Sequence, residues 1–165
     1  MDLSAKDGVL LQDSSTGELL TLSRRILAEL RQRKVIRTGN APAGDYAELL
    51  VQLATRGELA PNAQRSWDVV TPAKKKLQVK ARVVTNPRTR GERQLSVFRS
   101  WKFNAAVIVL FDDDFRVWRA ALLPMSVIRS AGRFREYVQG TIVFATDELL
   151  ELGDDWTGIL RKVES

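Results

Sequence analysis

The chain contains neither cysteine nor histidine, and these two absences remove whole classes of chemistry before any motif is considered. Without thiolate or imidazole there is no zinc finger, no disulfide framework, no cysteine nucleophile and no serine-histidine-aspartate triad. A nuclease that works through a histidine base is excluded for the same reason. Any catalysis must run on carboxylates, lysine, hydroxyls and a hard, oxygen-seeking cation such as magnesium. Long apolar runs are missing as well: the longest, AAVIVLF at 105–111, is far too short to span a bilayer. The first residues, MDLSAKDGVLLQ, place an acid at position 2 and offer neither a signal-peptide core nor a lipidation motif, so a cytoplasmic protein without a membrane partner is expected. No internal repeat, low-complexity tract or glycine-rich phosphate loop is present.

What remains is an ordinary globular composition, 165 residues with 44% hydrophobic and 28% charged. That length fits one domain, or one domain with a helical extension. The net charge of +6 and a pI near 10.0 favour a polyanionic partner. Distribution says more than the total: between 74 and 102 the bases are Lys74, Lys75, Lys76, Lys80, Arg82, Arg88, Arg90, Arg93, Arg99 and Lys102, and the only acid is Glu92. A lone lysine triplet reads as a solvated turn, but a bias extending through several elements reads as an electrostatic footprint for phosphates.

Residues 1–15 are polar with little periodicity. Leu19, Leu20, Leu22, Ile26, Leu27 and Leu30 then recur at helical spacing, which predicts an amphipathic helix closed by the loop VIRTGNAPAG. This segment, 1–40, is expected to precede a core domain over 41–165. A second helix over 44–56, with Gly57 as its stop, is apolar nearly all round and therefore buried on most sides. Glu48 is its odd member. One reading makes Asp45 the N-cap and Glu48 its capping-box partner; another gives Glu48 to a functional site.

The segment SWDVVTPAKKKLQVKARVV predicts a hairpin turning at Pro72. Strict alternation over 77–83 sends Leu77, Val79, Ala81 and Val83 to the core and places Gln78, Lys80 and Arg82 together on the opposite face. An acid, Asp68, comes from the strand before. A polar outer face is also the default for an antiparallel strand, so Gln78 and Lys80 alone would decide nothing. Farther on, a helix over 93–103 is expected to bury Leu95 and Phe98 and to turn Arg93, Arg99 and Lys102 outward. A buried strand at 105–111, a solvated Asp112-Asp113-Asp114 turn and a partner strand FRVWRAALL follow. A short helix to about residue 130, a strand at 141–145, a helix capped by Asp147 and a last helix over 155–163 complete a mixed α/β (α+β) domain. Trp67, Trp101 and Trp118 are expected to serve packing.

Gly44 to Glu48 (GDYAE), Ser66 to Asp68 (SWD) and Leu77 to Lys80 (LQVK) together resemble the PD-(D/E)xK nuclease superfamily. The similarity is greatest to its QxK branch of methyl-directed restriction endonucleases and Holliday-junction resolvases, and to bacterial proteins with this restriction-endonuclease-like domain. It covers roughly 44–123 and implies an αβββαβ core with a mixed central sheet flanked by helices. It also implies a Mg²⁺ (or Mn²⁺) endonuclease of double-stranded DNA in restriction or genome defence, with a homodimer expected where both strands are cut. Carried over by position, Asp68 would be the principal metal ligand and Glu48 would reach the same ion. Gln78 would offer its amide oxygen and Val79 its carbonyl, and Lys80 would orient or deprotonate the attacking water. The chain departs from the pattern where Gln78 replaces a glutamate and where Trp67, not proline, precedes Asp68.

Arg82, Arg93, Gln94, Ser96, Arg99 and Lys102 are the candidates for nucleic-acid contacts, with Gln64 and Ser66 either touching DNA or shaping the turn. Two other functions stay open: a catalytically inactive nuclease-fold module that binds nucleic acid, and a protein-interaction domain whose basic stretch is a solvated surface.

Overall fold

Ser15 opens the first long helix. Its hydroxyl accepts the Glu18 N–H (3.4 Å) while its own N–H donates to Glu18 Oε2 (2.8 Å), the reciprocal arrangement that satisfies two orphan amides of a helix start. Behind this cap runs α1 (Thr16–Gln32), preceded by a single 3-10 turn at Leu11–Asp13. The computed structural model describes residues 11–64 and 66–164, so the reading of 1–10 lies outside the described residues. The chain divides into two compact units, Met1–Pro42 and Ala43–Ser165. In the first, α1 presents no buried residue. Among the described residues no helix is long and apolar enough to cross a membrane.

The second helix, α2 (Pro42–Thr55), starts earlier than its apolar pattern suggests. Proline suits the first helical position because its fixed φ is already helical and its missing N–H is not needed there. Asp45 therefore lies inside the first turn and is not the N-cap, and the capping box with Glu48 does not form the helix start. At the other end the left-handed residue is Arg56 (φ 54°), whose N–H donates to the Leu53 carbonyl while Gly57 N–H donates to Gln52. Gly57 is required for space: a Cβ there would stand 2.6 Å from the Val70 carbonyl oxygen.

Beyond α2 the chain builds a six-stranded mixed sheet in a mixed α+β unit. Its strands are β1 (Glu58–Leu59), β2 (Val69–Val70), β3 (Lys76–Val83), β4 (Ala105–Phe111), β5 (Val117–Pro124) and, after an intervening hairpin, β8 (Asp154–Asp155). They lie in the order β1-β2-β3-β4-β5-β8. The β3–β4 pair alone is parallel, with Val79 beside Val107, and the other pairs are antiparallel. Both faces are covered, which is why β4 reads as an unbroken apolar run. On one face Leu50 and Val51 of α2 and Leu160 of α5 (Thr157–Arg161) join Val79, Val107 and Val109. On the other, Leu95, Phe98, Ile128 and Leu149 pack with Ile108, Leu110 and Leu123. The Asp112 turn closes the β4–β5 hairpin, Asp112 Oδ1 accepting the N–H groups of Asp114 and Arg116 at 3.0 Å each.

A parallel pair needs a crossover, and here the expected helix over 93–103 is not formed. A single 3-10 turn at Arg90–Arg93 gives way to extended chain. Its backbone bonds go to the C-terminal segment instead: Leu95 N–H to Val143 O (2.9 Å), and Phe98 and Thr141 to each other (3.0 and 2.9 Å). Leu95 and Phe98 are buried as expected, because a spacing of three serves either conformation when the partner lies more than forty residues away in the sequence.

After α3 (Met125–Ala131) comes a hairpin of β6 (Arg133–Arg135) and β7 (Gly140–Ile142), where only one strand at 141–145 was expected. Then α4 (Asp147–Glu151) is capped by Thr146, whose Oγ1 accepts Leu149 N–H at 3.2 Å, and not by Asp147. The last helix is shorter than 155–163, since Asp154 and Asp155 are spent as β8 against Leu122 and Ala121.

Candidate active site

The two residues of β2 are too few to follow β3 along its length, and the site lies where they part. Asp68 directly precedes β2; its N–H donates to Leu77 O and its carbonyl accepts from Ala60 N–H, both at 2.8 Å. Beyond this point β3 has no strand partner on that edge to accept the Val79 N–H. The Asp68 carboxylate takes that role: Oδ2 accepts Val79 N–H at 2.6 Å and Gln78 Nε2 at 2.6 Å. Residues alternate along a strand in the edge to which their N–H and C=O point, so the Val79 carbonyl emerges into the same notch.

Lys80 lies two residues on, on the Gln78 face. Around Gln78 that face is covered, not solvated, since Gln78 is only 8% exposed, although Arg82 farther along it is exposed. The Lys80 ammonium donates to Ser96 Oγ (3.0 Å) and Val97 O (3.2 Å) and rests 4.9 Å from the Phe98 ring centre. Burial pulls its pKa below the usual lysine value. The Asp68 carboxylate opposes this, Arg99 adds to it, and Glu48 opposes it again. Glu48 on α2 and Asp68 on the sheet therefore both lie within electrostatic reach of one amine.

A hard cation in this notch would meet oxygen donors of the right kind, the Asp68 carboxylate and the Val79 carbonyl, with water completing the shell as magnesium prefers. Among the described residues no group of three or more His, Cys, Asp or Glu side chains is gathered as a metal site. Gln78 directs its amide nitrogen at Asp68, which leaves its amide oxygen as the atom that could face a cation. Its arrangement suits holding the Asp68 carboxylate in place.

No protein-family model and no curated protein matches the chain.

The basic residues of 74–102 divide into two groups. Arg93, expected to face outward, is instead buried, because its guanidinium pairs with Asp147 (2.6 Å), donates to Pro87 O and lies over the Trp118 ring. Gln94 is half-buried in an isolated bridge to Phe144. Arg82, Arg99 and Lys102 are exposed; Arg82 Nε donates to Glu92 O and Arg99 to Val138 O. Ser96, exposed, is the Lys80 partner. Ser66 and Ser100 hydroxyls meet at 2.9 Å, tying the Asp68 loop to the crossover, and Gln64 Oε1 accepts Ser66 N–H. Trp67, Trp101 and Trp118 are partly buried against the core. An open recess of about 530 Å³ is lined by Lys74, Lys76, Trp101, Lys102, Phe103 and Asn104, with the Lys76 ammonium 3.9 Å over Trp67. Lys76 alternates with Gln78 and Lys80, so the recess continues their face. The grip of Ser96 and Val97 on Lys80 left no trace in the sequence, because it joins residues sixteen and seventeen apart through an irregular segment.

Proposed function

We propose that this protein is a divalent-metal-dependent DNA endonuclease built on a restriction-endonuclease-like core. The observation that carries the reading is the notch itself, where Asp68 meets Gln78 and Val79 at the parting of β2 and β3, with Asp68 and Glu48 both acting electrostatically on the Lys80 amine. The sheet order and the single parallel β3–β4 pair are compatible with the αβββαβ core, with an extended crossover in place of its second helix.

When bound, a magnesium ion would polarise the phosphodiester and acidify a coordinated water. Asp68 and Glu48, with the Val79 carbonyl, would hold it. Gln78 orients the Asp68 carboxylate. Lys80, its pKa lowered by burial, would accept the proton of the attacking water or, as ammonium, offset charge on the phosphate. Lys74, Lys76 and Lys102 would guide the strand backbone.

A second reading, a nuclease-fold module that binds nucleic acid without cutting it, is favoured by the closed network in which Gln78 caps Asp68 and Ser96 and Val97 hold Lys80. Incubating supercoiled plasmid with Mg²⁺ or Mn²⁺ separates the two. The unsubstituted chain is expected to nick or linearise it, and folded Asp68→Ala and Lys80→Ala variants are expected to lose that activity. Cleavage surviving both substitutions overturns the site. Salt-sensitive binding without cleavage in either metal favours the second reading.

A further inference from the structure

The β6–β7 hairpin spends apolar surface on solvent. Phe134 is 63% exposed and Tyr137 80% exposed, a costly placement for two aromatic rings unless something covers them. Arg133 and Arg135, both exposed, flank Phe134 along β6, Arg129 of the preceding helix lies exposed over the Trp101 ring, and between residues 125 and 146 the only acid is Glu136. An apolar protein partner would gain little from this arginine frame, whereas a polyanion with π-faces matches both parts of it.

The aromatics are also presented on a held support. The tip is closed by Gln139 (φ 48°), whose backbone N–H and side-chain Nε2 both donate to Glu136 O, at 3.0 and 2.7 Å. The hairpin is fixed to the crossover by the reciprocal Phe98–Thr141 bonds on β7 and by Arg99 reaching Val138 O in its turn. Gly140 permits that approach, since a Cβ there would lie 3.0 Å from Phe98 O. Phe98 is the residue whose ring lies beside Lys80. The hairpin is thus joined by main-chain bonds to the segment that covers the candidate catalytic amine.

We propose that this hairpin is a nucleic-acid-binding arm, in which Phe134 and Tyr137 stack on unpaired bases and Arg133 and Arg135 neutralise the neighbouring phosphates. Rings reach base faces only where neighbouring bases have left them, so the ligand class is a strand end, fork or gap rather than continuous duplex. For its bearing on cleavage the proposal rests on the endonuclease reading, but binding can be measured apart from it.

The test uses the full chain in EDTA, so that nothing is cut, and fluorescence anisotropy with labelled single-stranded, forked and blunt duplex DNA across a salt series. Forked and single-stranded DNA are expected to bind more tightly than blunt duplex. The Phe134→Ala/Tyr137→Ala variant is expected to weaken both by about tenfold or more, with duplex affinity little changed. The Arg133→Gln/Arg135→Gln variant is expected to lower the single-strand salt slope by about 1.4. Equal affinity of the aromatic variant and the parent for all three DNAs overturns the proposal. So does a parent that is dimeric in gel filtration and becomes monomeric on the aromatic substitution, which would make the hairpin a self-association face. Failure of the endonuclease reading would show separately, as no Mg²⁺-dependent cutting of the fork by the parent while the binding differences stand.

Discussion

At the scale of single residues, Lys80 carries the sharpest conflict between stability and use. Its amine is enclosed by Ser96, Val97 and Phe98, and burial lowers its pKa. Below that lowered value the folded chain must keep an ammonium in surroundings that disfavour charge. Between it and the unfolded value of about 10.4 the unfolded chain binds the extra proton, so stability rises with pH across this window. A Lys80→Met variant is therefore expected to lack that rise, its stability relative to the parent being most favourable at neutral pH and falling as pH approaches 10. Urea denaturation of both proteins at a series of pH values measures it, and a difference independent of pH would contradict the enclosed-amine account. Asp68 and Gln78 show how far residue types alone carry. Their nearness was legible from a hairpin turning at Pro72. That Gln78 donates to the Asp68 carboxylate follows from the distance and direction of one bond.

Among the elements, α4 and the crossover are locked by one carboxylate. Asp147 in the first turn of α4 accepts from Arg93 on the crossover and from Arg119 on β5. The hydrogen bond from Arg93, with the charges of both arginines, holds the Asp147 pKa below the usual carboxylate value. Stability from this group is thus present above about 3.9 and is lost as pH falls through the lowered folded value. Asp147→Asn is expected to cost about 1 kcal/mol at neutral pH, discounted because Asp147 is more than half exposed, although the Arg93 it serves is buried. The cost should shrink as pH falls below about 3.9; chemical denaturation at pH 7 and pH 3 checks that it is smaller at the lower pH. Periodicity found α1, α2, β3, β4, β5 and α3 because their apolar spacing is set by the sheet or helix they belong to. It misread 93–103, whose hydrogen bonds are long-range, and it missed β6, whose Arg-Phe-Arg alternation buries nothing.

At the scale of the molecule, the excess of positive charge is concentrated, with Lys74, Lys76 and Lys102 around one recess that continues the face of Gln78 and Lys80. Phosphate contacts release counterions, so one to each of these three lysines would weaken duplex binding by roughly fortyfold between 50 and 200 mM salt. A binding isotherm at each salt concentration measures the slope, and affinity insensitive to salt would remove the electrostatic reading of this surface.

Composition and local pattern determined, by themselves, which chemistries were closed, where the main helices and buried strands run, and that Asp68 and the Gln78-x-Lys80 pair share one hairpin. These are consequences of residue type and of spacing within one element, which a chain carries wherever it folds. Only the tertiary structure decided that the polar face of β3 is covered around Gln78, that Arg93 turns inward to Asp147 and that Lys80 is held by Ser96 and Val97. Each of these depends on contacts between segments distant in the chain, whose energies no local period records.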